Sequence, residues 1–165
     1  MKSIIVCTSV SHGNTKRVAD VMGRTLDAAV VAPEQVDVAE LSRYDLVGFG
    51  SGIFLGSFHA QLREFVRSLP RERRGQAFVL ATSGFPEAGF QRFSRPLVRQ
   101  LEVKGFDVVD TFSCRGFDTY LPFKAVGGIR KGRPDAGDLA AAHAFAEGLR
   151  ERVGANGGRP AGPGH

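Results

Sequence analysis

Apolar residues along this chain recur with two periods that take turns. Ser3 to Thr8 (Ser-Ile-Ile-Val-Cys-Thr) is an almost unbroken apolar run, the pattern of a strand buried on both faces. Asn14 to Asp27 then spaces Val18, Val21, Met22 and Leu26 three and four residues apart, on one face of a helix. Ala28–Ala32 predicts a short second strand and Asp45–Gly50 a third. A helix follows over Ala60–Leu69, with Leu62, Phe65, Val66 and Leu69 in register and Pro70 to stop it. Ala77–Thr82 predicts the fourth strand. Phe90–Val103 predicts a helix on Phe93, Leu97 and Leu101, closed by Gly105 as a left-handed cap. Asp107–Cys114 is the fifth strand. Asp135, just after Pro134, caps a last helix whose buried stripe is Leu139, Ala142, Ala146 and Leu149. From Gly154 to His165 the chain is rich in Gly and Pro, which predicts a disordered tail behind one domain over residues 1–153.

Strands that alternate with helices predict an α/β fold, a doubly wound five-stranded parallel sheet with helices on both faces and strand order 2-1-3-4-5. Ligands of such sheets bind outside the carboxyl ends of the strands, at the switch point beside strand one. The segments after strands one, three, four and five are therefore where chemistry is expected.

Composition narrows the classes. The 165 residues suffice for a hydrophobic core, and no apolar run is long enough to span a membrane. The N-terminus enters strand residues at once, without the apolar segment of a signal peptide, so a cytoplasmic location is expected. Cys7 and Cys114 are too few for a disulfide framework, and no His/Cys cluster has metal-ligand spacing. The net charge of +5 raises nucleic acid as a partner. The arginines are scattered, however, and the densest group, Arg71-Glu72-Arg73-Arg74, reads as a solvated helix end. No nucleic-acid partner is expected.

The segment after strand one is Ser9-Val10-Ser11-His12-Gly13-Asn14-Thr15. Its hydroxyls, its glycine and the free N–H groups at the start of a helix suit an anion such as phosphate. An ordinary helix cap uses the same residue types, and its place after the first strand favours a binding role. No Gly lies five residues before Gly13, as a Walker A loop requires, and Gly13 stands where a tyrosine-phosphatase loop has Arg. Cys7 is thus a core residue rather than a nucleophile. Gly50 replaces the Asp of a receiver domain, and Gly48-Phe49-Gly50 lacks the third glycine of a dinucleotide fingerprint.

After strand three come Ser51-Gly52-Ile53-Phe54-Leu55-Gly56-Ser57-Phe58-His59, glycines mixed with large apolar side chains, which suits a flat aromatic ligand. Phe58 is expected to pack under the next helix and Phe54 to serve the ligand. Thr82-Ser83-Gly84-Phe85 follows strand four. A long segment from Arg115 to Arg133 follows strand five, where Phe117 and Tyr120 either border the ligand or pin the loop.

Together the motifs S-H-G-N-T at Ser11, G-F-G-S-G-I at Gly48, T-S-G at Thr82, S-C-R-G-F-D-T at Ser113 and G-G-I-x-K-G-R-P at Gly127 resemble small single-domain flavodoxins. The resemblance spans Met1 to Val153 and implies a flavodoxin-like fold with non-covalent FMN as cofactor. By that resemblance Ser9, Val10, Ser11, His12, Gly13, Asn14 and Thr15 hold the phosphate. Ser51, Gly52, Ile53 and Phe54 lie along the isoalloxazine, with Gly52 beside N5, and Thr82, Ser83, Gly84 and Phe85 touch its opposite edge. The flavin performs the chemistry, so no catalytic side chain is named; Lys16, Arg17, His12 and Arg115 either bias its potential or are merely solvated. The expected activity is electron transfer with a redox protein or a small-molecule acceptor. The alternatives are an FMN-dependent NAD(P)H:quinone or protoporphyrinogen-type oxidoreductase and a cofactor-free interaction module. The chain departs from the flavodoxin pattern in His12, an extra residue in the phosphate turn, in its lack of Trp, and in its basic charge where electron carriers are generally acidic. The last weighs against a carrier role, because partner choice is electrostatic.

Overall fold

The middle of the sheet is made by three strands whose side chains alternate between two cores. The computed structural model describes residues 1–8, 14–54, 57–83, 90–115 and 136–157. They form β1 (Ser3–Thr8), α1 (Asn14–Leu26), β2 (Ala29–Val31), two 3-10 turns, β3 (Leu46–Phe54), β4 (Ser57–Phe58), α2 (Ala60–Ser68), β5 (Gln76–Ser83), α3 (Phe90–Val103), β6 (Asp107–Arg115) and α4 (Ala136–Gly157). The parallel strands stand in the order β2-β1-β3-β5-β6, with β4 paired antiparallel to the end of β3. With the short β4 set aside, this is the 2-1-3-4-5 order that the alternation of strands and helices predicts.

Ile4, Val6, Val47, Phe49 and Val79 face one core, closed by Leu62 and Val66 of α2 and Leu97 and Leu101 of α3. Ile5, Cys7, Leu46, Phe78 and Leu80 face the other, closed by Val18 and Met22 of α1 and Ala142, Ala146 and Leu149 of α4. A strand covered on both faces needs apolar side chains at successive positions, which is why the runs look unbroken. Gly48 and Gly50 of β3 leave room on the second face: a Cβ at Gly50 would lie 2.6 Å from Leu80 Cγ. The edge strand β6 carries Asp107, Asp110, Thr111 and Ser113. On β6, Phe78 pairs with Asp110 while Ala77 pairs with Val108, so one extra residue bulges out, and Asp110 binds Arg152 of α4 at 2.8 Å.

Two helix ends show how the chain turns out of its helices. Gly105 has φ +106°, and the N–H groups of Gly105 and Phe106 donate to the carbonyls of Glu102 and Leu101 at 3.0 and 3.1 Å. This is a Schellman cap with glycine at its turning point. Asp27, expected inside α1, instead lies just past it in the left-handed region (φ 54°), and Ala28 N–H bonds back to the Gly23 carbonyl at 2.8 Å.

Three expectations need correction. Ser51–Phe54 is not loop but the continuation of β3, because Ile53 and Phe54 pair with Phe58 and Ser57. Arg71–Arg74 is not a helix end, since α2 stops at Ser68, and Arg74 is not solvated. Its Nε and Nη2 donate to the carbonyls of Lys104 and Pro70 at 3.2 and 2.9 Å, and its guanidinium lies 5.4 Å from the centre of the Phe106 ring. Burial pulls its pKa below the ordinary value, with Glu72 opposing. Finally, Gly154–Gly157 continues α4 rather than starting the tail; residues 158–165 lie outside the described residues.

Candidate functional site

Parallel register brings four strand ends into one row. Thr8 of β1 pairs with Ser51 of β3, Gly52 with Thr82 of β5, and Thr82 with Cys114 of β6. The N-terminus of α1 opens at the same end, because a parallel strand delivers its helix there. The first turn of α1 has no acidic residue and includes Lys16 and Arg17. An N-terminal turn without its own carboxylate keeps its partial positive charge for an external anion.

Two of the expected residues meet directly. Thr15 Oγ1 lies 2.7 Å from Thr82 Oγ1, and both residues are buried. Thr8 adds a third hydroxyl. It is 4% exposed, and its Oγ1 has no hydrogen-bond partner among the described residues. A buried hydroxyl left unpaired is destabilising, so one at the end of β1, opposite Ser51, is suited to a guest that accepts its proton. Thr8 is absent from the candidates that the sequence offers. The available signal was a polar residue closing an apolar run.

The remaining candidates divide. The Ser51 hydroxyl accepts from His59 N–H at 3.1 Å and donates to the Gly52 carbonyl at 2.8 Å, which ties the hairpin to the start of α2. His59 caps α2 by accepting from Gln61 N–H at Nδ1. Gly52 is half-buried beside Thr82. Asn14 begins α1, Ile53 and Phe54 end β3, and Ser83 pairs with Arg115. Phe58 is buried in the first core, as expected. Ser9, Val10, Ser11, His12, Gly13, Gly84 and Phe85 lie outside the described residues, as does 116–135.

Cys7, next to this row, is no nucleophile. Burial pushes its thiol up to about 12, the Asp20 carboxylate adds to the rise, and Lys16 opposes it. Lys16 itself pairs with Asp20 at 2.9 Å on the helix surface. Among the described residues no group of His, Cys, Asp and Glu is placed to hold a metal. A cavity of 840 Å³ does exist at the opposite end of the sheet, lined by Arg43, Tyr44, Asp45, Arg74 and Gln76. It lies at the amino ends of β3 and β5, away from the row of hydroxyls and from the N-terminus of α1.

Comparison with known proteins agrees with this geometry. The sequence model of the flavodoxin domain matches residues 5–94, more than half of the chain. An uncharacterized protein of Methanocaldococcus jannaschii is 34% identical over 149 residues, which is 90% of this chain and 98% of that one. The chain belongs to the flavodoxin family. Among solved structures, oxidised Flavodoxin 2 from Bacillus cereus superposes on this flavodoxin-family protein with a TM-score of 0.66 at 18% identity, covering 92% of this chain and 99% of that one. Rubredoxin oxygen:oxidoreductase from Desulfovibrio gigas superposes with a TM-score of 0.71 at 11% identity, covering 96% of this chain but 38% of that one. At these identities the two structures speak for the fold. Family membership implies a flavin cofactor, and the unpaired Thr8 hydroxyl and the carboxylate-free N-terminus of α1 fit a flavin that carries a phosphate. Among the described residues no helix is long and apolar enough to cross a membrane.

Proposed function

We propose that this protein binds FMN non-covalently and works as a redox protein through it. The supporting observation is the buried Thr8 hydroxyl at the end of β1, unpartnered among the described residues, in a chain of the flavodoxin family. Thr8, Ser9–Asn14 and Thr15 would hold the phosphate through O–H and N–H donors, without a counter-ion. Ser51–Phe54 and Ser83–Phe85 would lie along the ring. Bound FMN supplies one- and two-electron exchange, while the protein orients the ring and excludes water from its phosphate end. Purified protein is expected to be yellow or to quench added FMN fluorescence; absence of binding at micromolar FMN overturns this reading.

A second reading follows from the charge and from chain length. The net charge of +5 differs from the acidic surface of a typical carrier, and residues 116–135 between β6 and α4 provide enough chain to shape a substrate site. Both favour an FMN-dependent oxidoreductase with a small acceptor such as a quinone. Steady-state NAD(P)H oxidation with a quinone supports it; FMN binding without turnover on any acceptor favours a carrier that meets a redox protein. Neither reading involves nucleic acid or membrane insertion.

A further inference from the structure

We infer that Thr82 is a positioning residue for the phosphate rather than a contact of the flavin ring: its hydroxyl donates to Thr15 Oγ1 and so commits the single Thr15 proton to the phosphate. The inference rests on the FMN reading above. It starts from a count of protons. The two Oγ1 atoms are 2.7 Å apart, at the centre of the range for an O–H···O hydrogen bond, so one of the two protons lies between them. Each hydroxyl has one proton to give and two lone pairs to offer.

Two arrangements share the same heavy-atom positions. If Thr15 donates to Thr82, Thr15 presents only lone pairs to a guest, and these repel an anion. If Thr82 donates to Thr15, the Thr15 proton is free to point forward. An anion at the N-terminus of α1 therefore selects the second arrangement by rotation of two hydroxyls. The residues are 3% and 5% exposed, so neither hydroxyl has bulk water as an alternative partner. They come from α1 and from β5, 67 positions apart, and the bond ties the first turn of the helix to the strand beside Gly52. A hydroxyl that polarises a second hydroxyl also strengthens the bond the second one makes.

The test compares flavins that differ only in the phosphate. Flavin-free full-length protein is titrated with FMN and with riboflavin, by fluorescence quenching, in wild type, Thr82→Val, Thr82→Ser and the pair Thr15→Val with and without Thr82→Val. Thr82→Val is expected to weaken FMN about fivefold, the size of one neutral hydrogen bond, because Thr15 keeps the proton it gives the phosphate but loses the donor that orients it. Riboflavin affinity stays within about twofold, Thr82→Ser restores FMN affinity, and in the Thr15→Val background Thr82→Val has no further effect. Equal loss of both flavins, full FMN affinity in Thr82→Val, failure of Thr82→Ser to restore it, or additive losses in the double variant overturns the inference. Wild type that binds neither flavin overturns the FMN reading itself, and is told apart because it requires no variant.

Discussion

A hydroxyl buried without a partner is the most telling single residue here. Thr8 sits 4% exposed at the end of its strand, its Oγ1 unpaired among the described residues. Thr8→Val keeps the shape and removes the unsatisfied group, so the flavin-free protein is expected to hold or gain up to about 1 kcal/mol in urea unfolding while FMN affinity falls. A stability loss in the flavin-free protein would show that the hydroxyl serves the fold instead. Cys7 carries the opposite lesson. Its folded pKa, about 12, lies above the ordinary thiol value of 9.0. Between these values the unfolded thiol has lost its proton and the folded one has kept it. The stabilising contribution is thus fully present below about pH 9 and drains away as pH rises toward 12, by about 1.4 kcal/mol per pH unit at most. Native protein at pH 8 should leave the Cys7 peptide unlabelled by iodoacetamide, and urea should make it reactive, as read by mass spectrometry.

Elements are held by their ends as much as by their faces. Gly105 closes α3 at φ +106°, and a side chain there would run into the Glu72 carbonyl, so strain and collision add. Gly105→Ala is expected to destabilise by more than about 1–2 kcal/mol. Gly148 is the contrast. It lies in the middle of α4, and a methyl group added there would meet nothing within 4 Å among the described residues, so Gly148→Ala should stabilise by about 0.5–1 kcal/mol. Chemical denaturation midpoints of the two variants test both signs together. The Gly105 cap was legible in the sequence because glycine after a helical stripe is a local signal. The hairpin of β3 with β4 was not, because Ile53 and Phe54 serve equally well in a strand or against a ligand.

At the scale of the molecule, the site is shared among β1, β3, β5, β6 and α1, so a guest there braces the sheet against the helix. FMN at a hundredfold excess over its Kd is expected to stabilise the fold by about 2.7 kcal/mol. For a chain of this size that is a rise in Tm of about 5–10 °C. Riboflavin at the same concentration should raise it less, and an unchanged Tm with FMN would exclude binding at this end of the sheet. The basic charge belongs to this scale as well, since it is the summed field that selects an acidic or a neutral acceptor.

What the chain determined alone was everything that depends on neighbours in sequence. Apolar period set strand against helix, and the alternation of the two implied the parallel order, because a parallel crossover requires a helix between strands. The expected position of the site followed, since such sheets bind at their carboxyl ends. What only the tertiary structure decided was which side chains finish side by side. Register places Thr8 opposite Ser51 and Gly52 opposite Thr82, the packing of α1 sets Thr15 against Thr82, and Arg74, in a run that reads as solvated, turns inward onto Phe106. These pairings join residues far apart in the chain, and a hydrogen bond depends on positions to a few tenths of an ångström, which no local pattern carries.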